Sequence, residues 1–366
     1  MNSSDETQAI PELDAPHLPR LTRRLFGHHQ AVQSVAQVAK SGRMPHGWLL
    51  TGPRGVGKAS FAYLMARAIL GNHNLAGLAT ATLDETSHLI EIDAHSDLFT
   101  LRRKFNTKTD KFQNVIQVED VRALRESFTF TTARGGWRVC IIDALDDMNH
   151  NGANALLKIL EEPPPKSLLL IICHNSGMVL DTVRSRCQHL PFNELQADEL
   201  AELLANLYPT TKPDEREMAA NLAQGSAGMA VRLMDADGLV IYRELIAVLS
   251  QLPQADNEAV HALAAHFTNQ AKDKDRFLLF AFLLQGWLYR LVRSKSRGEA
   301  IMPIFAEEGA LATRFVRNLT LEALVGLWEK IGEDVAIVEE YNLDRKNRVI
   351  SWLEMVGEAL NLKSVA

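Results

Sequence analysis

Gly52-Pro53-Arg54-Gly55-Val56-Gly57-Lys58-Ala59 is the stretch whose residue types and spacing most plainly carry chemistry. It follows the apolar run Gly47 to Thr51 and opens the Ala-rich helical pattern of Phe61 to Leu70, the setting that a phosphate-binding loop requires. Glycines let successive backbone N–H groups turn inward on phosphate oxygens. The helix N-terminus adds partial positive charge, and Lys58 reaches the terminal phosphates. The bland alternative is a chance glycine turn before a helix, and the strand, the spacing and the lysine together argue against it. One residue departs from the pattern. The position after the lysine ordinarily holds Ser or Thr, whose hydroxyl binds Mg²⁺, and Ala59 stands there. Ser60 lies one step on, rotated by about 100° around a helix, and does not take its place.

Val139-Cys140-Ile141-Ile142-Asp143 is a hydrophobic strand ending in an acid. After a phosphate loop, Asp143 is placed to hold a metal through water. A hydrolytic site commonly has Glu next, to orient the attacking water, and Ala144 is there instead. The third candidate is Thr182-Val183-Arg184-Ser185-Arg186-Cys187, which on charge alone reads as a loop of solvated arginines.

These residues need elements to position them. Gly47 to Thr51, Val139 to Ile142 and Leu168 to Ile172 read as short β-type runs. Leu25 to Lys40, Phe61 to Leu70 and Asn154 to Leu160 read as helical. Strands alternating with helices predict an α/β domain with a parallel sheet. No β-type run recurs after about Phe192. Asp198 to Leu207, Asp214 to Ala223 and Ala227 to Leu233 read as three short helices. Ala259 to Phe267, Asp275 to Arg293, Leu321 to Ala336 and Asp344 to Leu360 carry apolar stripes at helical period. The fold class is therefore α/β followed by all-α.

Composition narrows the function classes. A chain of 366 residues is long enough for two or three domains. Hydrophobic residues at 46% and charged residues at 23% exclude a mainly disordered or fibrous chain. A formal charge of −6 argues against a basic coat, so any nucleic-acid contact is local. Cys140, Cys173 and Cys187 are widely spaced, and the 12 histidines form no tight ligand spacing, so neither a disulfide scaffold nor a metal centre is expected. No signal peptide is evident, and the most apolar run, Phe277 to Leu284, is far short of a membrane span. A soluble, cytoplasmic protein is expected.

Taken in order, the motifs resemble the clamp-loader branch of the AAA+ ATPases, and within it the delta-prime subunits of bacterial DNA polymerase III. The resemblance is carried by Leu25-Phe26-Gly27-His28, by His46-Gly47-Trp48-Leu49-Leu50-Thr51-Gly52 with the phosphate loop, and by Ser185-Arg186-Cys187. Its most specific part is Asn154-Ala155-Leu156-Leu157-Lys158-Ile159-Leu160-Glu161-Glu162-Pro163-Pro164. Asn342-Leu343-Asp344-Arg345-Lys346 adds a match near the C-terminus.

The resemblance implies a loose leader over 1–20, an AAA+ nucleotide-binding domain over 21–193, a three-helix lid over 194–238 and a helical collar over 239–366. It implies motor and delta subunits as partners in a five-membered ring, which loads a sliding clamp onto primed DNA in the polymerase III holoenzyme. Hydrolysing subunits of this family carry Ser or Thr after the lysine, Glu after the aspartate and an arginine in the lid. This chain has Ala59 and Ala144, and no arginine after Gly225-Ser226-Ala227-Gly228 until Arg232. The three departures point to a subunit that takes ATP or ADP weakly, handles Mg²⁺ poorly and does not hydrolyse on its own. The resemblance also places Arg186 as an arginine finger acting in trans on a neighbour. Residues 71–100 lack the cysteines of the family's zinc module, so no zinc is expected. An active motor subunit of the same assembly is the alternative, and a nucleoside kinase using the same loop is a more distant one.

Overall fold

The computed structural model describes residues 17–106, 111–113, 115–128, 136–254, 257–270, 273–341 and 343–361. Most of the expected leader and Asn342 lie outside them. The chain forms two compact units. The first runs to Glu199 and includes Gly225–Gly228. The second comprises Leu200–Gln224 and Met229–Ala366.

The first unit carries α1 (His29–Lys40), β1 (Gly47–Thr51), α2 (Lys58–Leu70), α3 (Glu85–Glu91), β2 (Leu98–Arg102), β3 (Phe105–Asn106), β4 (Lys111–Phe112), α4 (Val118–Ser127), β5 (Arg138–Asp143), α5 (His150–Glu161), β6 (Ser167–Cys173), α6 (Asp181–Arg184) and β7 (Gln188–Pro191). Five strands make a parallel sheet in the order β2-β5-β6-β1-β7, and β3 and β4 pair as a separate antiparallel ribbon. All seven residues of β6 are buried, as expected of a central strand covered on both faces.

The two-residue period of a strand divides the core into two layers. Trp48, Leu50, Ile141, Leu168, Leu170 and Ile172 point to one face, where they pack with Phe61, Leu64 and Met65 of α2 and Val35 of α1. Leu49, Cys140, Ile142, Leu169 and Ile171 point to the other, against Leu124 of α4 and Leu156, Ile159 and Leu160 of α5. The end of the expected leader is tied to this unit. Arg67, 2% exposed, donates to the carbonyls of Thr22 and Arg20, and Arg20 Nε donates to the Glu91 carbonyl at 2.9 Å.

The helix expected from Leu25 starts only at His29. Gly27 and His28 both have left-handed backbones, with φ of 65° and 54°, and they stop the helical run. Leu25 instead lies extended, its N–H donating to the Ala79 carbonyl at 2.8 Å.

The second unit is all helical beyond Leu200. It takes most of α7 (Ala197–Leu207), then α8 (Pro213–Leu222), most of α9 (Ala227–Asp235), α10 (Gly238–Gln251), α11 (Asn257–Ala264), α12 (Lys274–Arg297), α13 (Glu308–Asn318), α14 (Leu321–Tyr341) and α15 (Arg345–Asn361). The α/β then all-α class read from the sequence is the class observed. Helix α12 is the hub of this unit. Trp287 meets Phe315 of α13 edge-on at 4.7 Å, and Phe277 stacks on Trp352 of α15 at 5.5 Å. The apolar run Phe277 to Leu284 is therefore used within the unit's own core. Buried Glu308 accepts from Tyr242 Oη at 2.6 Å and pairs with Arg290, so its charge is compensated. Among the described residues no helix is long and apolar enough to cross a membrane.

Candidate functional site

Strand β1 delivers the phosphate loop and β5 delivers Asp143, with β6 between them. The loop needs its glycines. Gly52 has φ 144°, and a Cβ there would stand 2.0 Å from the Phe192 carbonyl oxygen. Gly55 has φ 76°, and its Cβ would stand 2.2 Å from Ser226 Oγ. Gly57, with φ 111°, precedes α2. Such left-handed residues ahead of a helix N-terminus form a concave array of N–H groups suited to anions.

Lys58 is the first residue of α2 and is 3% exposed. Its Nζ donates to the carbonyls of Gly52 at 2.6 Å and Pro53 at 2.5 Å, so the ammonium lies within the loop it serves. Burial lowers its pKa to about 8, although Asp143, Cys173 and Asp146 oppose the shift. Burial raises the pKa of Asp143, Asp147 adds to the effect, and Lys58 and Arg102 oppose it. Val56 is buried, and its carbonyl lies 2.7 Å from His28 Nε2. A carbonyl only accepts, so Nε2 carries the proton. Arg54 stays exposed and lies 3.9 Å from Asp147.

The positions that depart from a hydrolytic site are apolar in place as well as in type. Ala59 packs against the core layer of α2. Ser60 Oγ accepts a hydrogen bond from Thr22 Oγ1 at 2.9 Å. Ala144 is 1% exposed and belongs to the same core layer. The nearby carboxylates do not replace a general base. Asp146 accepts from the backbone N–H of His174 at 2.6 Å and of Asn175 at 2.9 Å. Burial raises its pKa, but those two bonds outweigh burial and hold it below the usual carboxylate range. Asp147 pairs with Arg103 Nε at 3.2 Å. The loop thus fits a di- or triphosphate, Asp143 is the acid that would face its metal, and no positioned base accompanies it among these residues.

Sequence reasoning did not single out His174 or assign a task to His28. Burial first, then the charges of Lys58 and Arg54, lower the pKa of His174 to about 4, so the ring is neutral near pH 7. Its Nδ1 is buried with no hydrogen-bond partner among the described residues. Gly225–Gly228 also meets the loop, with Gly228 N–H donating to the Gly55 carbonyl at 2.8 Å and Ser226 Oγ to that of Arg54 at 3.3 Å. A contact 172 residues apart leaves no local signal.

Arg186 lies apart from these residues, just after α6, and pairs with Glu161 at 2.9 Å. Arg184 turns the other way and donates to the Ser176 carbonyl at 2.7 Å. Within residues 71–100, His73 Nε2 lies 2.8 Å from Asp84 Oδ2.

A family model described as "DNA polymerase III, delta subunit" matches residues 27–196. DNA polymerase III subunit delta' of Pseudomonas aeruginosa is 31% identical over 57% of this chain and 61% of its own length. DNA polymerase III subunit tau of Escherichia coli is 27% identical over 68% of this chain and 38% of its own. The chain thus spans between 38% and 61% of the length of these curated relatives. Among solved structures, a DNA polymerase III gamma subunit-related protein from Thermotoga maritima aligns over 90% of this chain and 99% of its own, at 16% identity and a TM-score of 0.45.

Proposed function

We propose that this chain, whose residues 27–196 match a family model described as "DNA polymerase III, delta subunit", is a non-hydrolysing subunit of a clamp loader. In this role it joins motor and delta subunits in a ring that places a sliding clamp on primed DNA. The first unit takes ATP or ADP at Gly52–Ala59. The helices of 194–238 act as a lid and those of 239–366 as a collar, and Arg186 serves a neighbour's nucleotide. The observation that carries the reading is a phosphate loop kept whole around Lys58 while Ala144, 1% exposed, occupies the place of the general base. A positioned base is worth about 10²–10⁴ in rate, and Ala59 removes a metal ligand as well.

Arginine suits the role given to Arg186, because its guanidinium stays charged and presents several donors to phosphate oxygens. Fingers of this kind contribute about 10³–10⁵ in rate. The test is co-purification with motor and delta subunits, followed by ATPase and clamp-loading assays with and without this chain. Arg186→Ala is expected to assemble normally but lose clamp-stimulated hydrolysis, and Arg184→Ala to do much less. Full loading activity with Arg186→Ala overturns the trans role. Turnover by the isolated chain at about 1 s⁻¹ or more, abolished by Lys58→Ala, would instead support an active motor subunit, the reading that the intact Lys58 and Asp143 favour.

A further inference from the structure

Arg186 is folded back on its own chain. Its Nη1 donates to the Thr182 carbonyl at 2.9 Å and to Ser185 Oγ at 3.3 Å. Its Nη2 lies 2.9 Å from Oε1 of Glu161. Nη1 and Nη2 form the forked end of the guanidinium, the edge best shaped for bidentate contact with a phosphate. In this conformation that edge is taken by oxygens of the same chain.

Glu161 is an unusual partner for its position. It is the last residue of α5, and an acid at a helix C-terminus meets the negative end of the helix dipole. The Arg186 cation offsets that local cost. The backbone of Arg186 is held by the turn that ends α6, with its N–H donating to the Val183 carbonyl at 3.2 Å and that of Ser185 to the Asp181 carbonyl at 2.9 Å. Freeing the guanidinium is therefore a rotation of the side chain and leaves the loop in place. The pair is also weak enough to open. The Arg186 side chain is 35% exposed and that of Glu161 is 49% exposed, and pairs so open to water are marginal. A terminal phosphate in a water-poor interface offers stronger, charge-assisted bonds.

We infer that Glu161 parks the Arg186 finger in the free chain and yields it to a neighbour's terminal phosphate, so that Glu161 regulates how readily the finger acts in trans. This rests on the trans-acting reading of Arg186 given above. Thr182 and Ser185 guide the guanidinium and Glu161 supplies the competing charge.

The experiment uses the full chain, assembled with motor and delta subunits, in five forms: parent, Glu161→Gln, Glu161→Ala, Arg186→Ala and the double variant Glu161→Gln with Arg186→Ala. Clamp-stimulated ATP turnover is measured at sub-saturating ATP, along with the thermal midpoint of each free chain. Glutamine keeps the shape of Glu161 at an exposed position, so the midpoint should stay at the parental value. Turnover with Glu161→Gln should rise by up to about fivefold, the most that an exposed pair is worth. Glu161→Ala should give the same rise, and the double variant should match Arg186→Ala. Parking is overturned if turnover with Glu161→Gln equals or falls below the parent, or if the rise persists without Arg186. Parental turnover with Arg186→Ala is a different failure, because it removes the trans-acting reading itself.

Discussion

His28 Nε2 lies 2.7 Å from the Val56 carbonyl oxygen, so an imidazole from the turn before α1 holds the phosphate loop from outside. The ring also meets Phe192 at 4.8 Å between centroids, which fixes its plane. Burial lowers its pKa and the bond to Val56 only partly restores it, so the bond is made by the neutral ring. His28→Ala should weaken ATP or ADP binding by up to about tenfold, the worth of one net hydrogen bond. His28→Gln, which keeps a donor, should recover most of that loss. Titration with a fluorescent nucleotide checks this, and equal affinity for the alanine variant and the parent would remove His28 from any part in shaping the loop.

Lys58 gives the site a pH dependence. Phosphate binding needs the ammonium, and burial has lowered its pKa to about 8. Nucleotide affinity should therefore fall as pH rises through about 8, well before an ordinary lysine loses its proton. The stability effect has the opposite sense. Between about 8 and 10.5 the unfolded chain holds this proton and the folded chain does not, so this group's contribution to stability rises with pH across that window. Affinity that stays flat up to about pH 10 would show that the ammonium is solvated.

The legible parts of the fold were those with strong one-dimensional patterns. Strands β1, β5 and β6 lie at the centre of the sheet and read as apolar runs because both faces are covered. Strands β2 and β7 lie at its edges, and Gln188 and His189 are exposed, so no apolar run marks them. Helices α10 and α13 lie outside the stripes read from the sequence. The break before α10 rests on left-handed Asp237, next to the boundary at 238 that the sequence reading set. At the site, the loop and Asp143 were legible because each is contiguous in sequence. The link from His28 to Val56, the neutral His174 and the pair of Arg186 with Glu161 arise only when distant segments meet.

His174 should make the first unit sensitive to acid. Its pKa is lowered to about 4, chiefly by burial. Between 6.5 and about 4 the unfolded chain gains a proton there that the folded chain resists. The stability due to this group is complete above 6.5 and is lost as pH falls through that window. His174→Gln should flatten the decline of the thermal midpoint over this range. An unchanged slope would assign acid sensitivity to other groups.

Gly52 offers a test of the loop's backbone. A Cβ at this position would stand 2.0 Å from the Phe192 carbonyl oxygen, and the φ of 144° is one that L side chains rarely adopt. Gly52→Ala must displace backbone at the junction of β1 and the loop. It should destabilise the first unit by about 1–3 kcal/mol and abolish nucleotide binding. Gly77→Ala is a control, since a Cβ there meets nothing within 4 Å. Equal stability and binding for the two variants would mean that the loop adapts freely.

A collar needs apolar surface that the second unit does not use for itself. The run Phe277 to Leu284 is already committed to that unit's core. Tyr289 and Trp328, by contrast, are 44% and 39% exposed and face each other at 6.2 Å between ring centroids, one on α12 and one on α14. Half-exposed aromatic residues contribute modestly to a chain's own stability. Trp and Tyr are also the types enriched where subunits bind most strongly. Tyr289→Ala with Trp328→Ala should therefore leave the free chain folded, with a loss of about 1–2 kcal/mol for the exposed rings. Assembly with motor and delta subunits should weaken by about tenfold or more, as for an anchor worth at least about 1.4 kcal/mol. Analytical ultracentrifugation of the mixed subunits measures the second effect and thermal unfolding the first. Parental assembly by the double variant would exclude this pair from the ring interface. Assembly lost in proportion to unfolding would mean that the rings serve only their own unit.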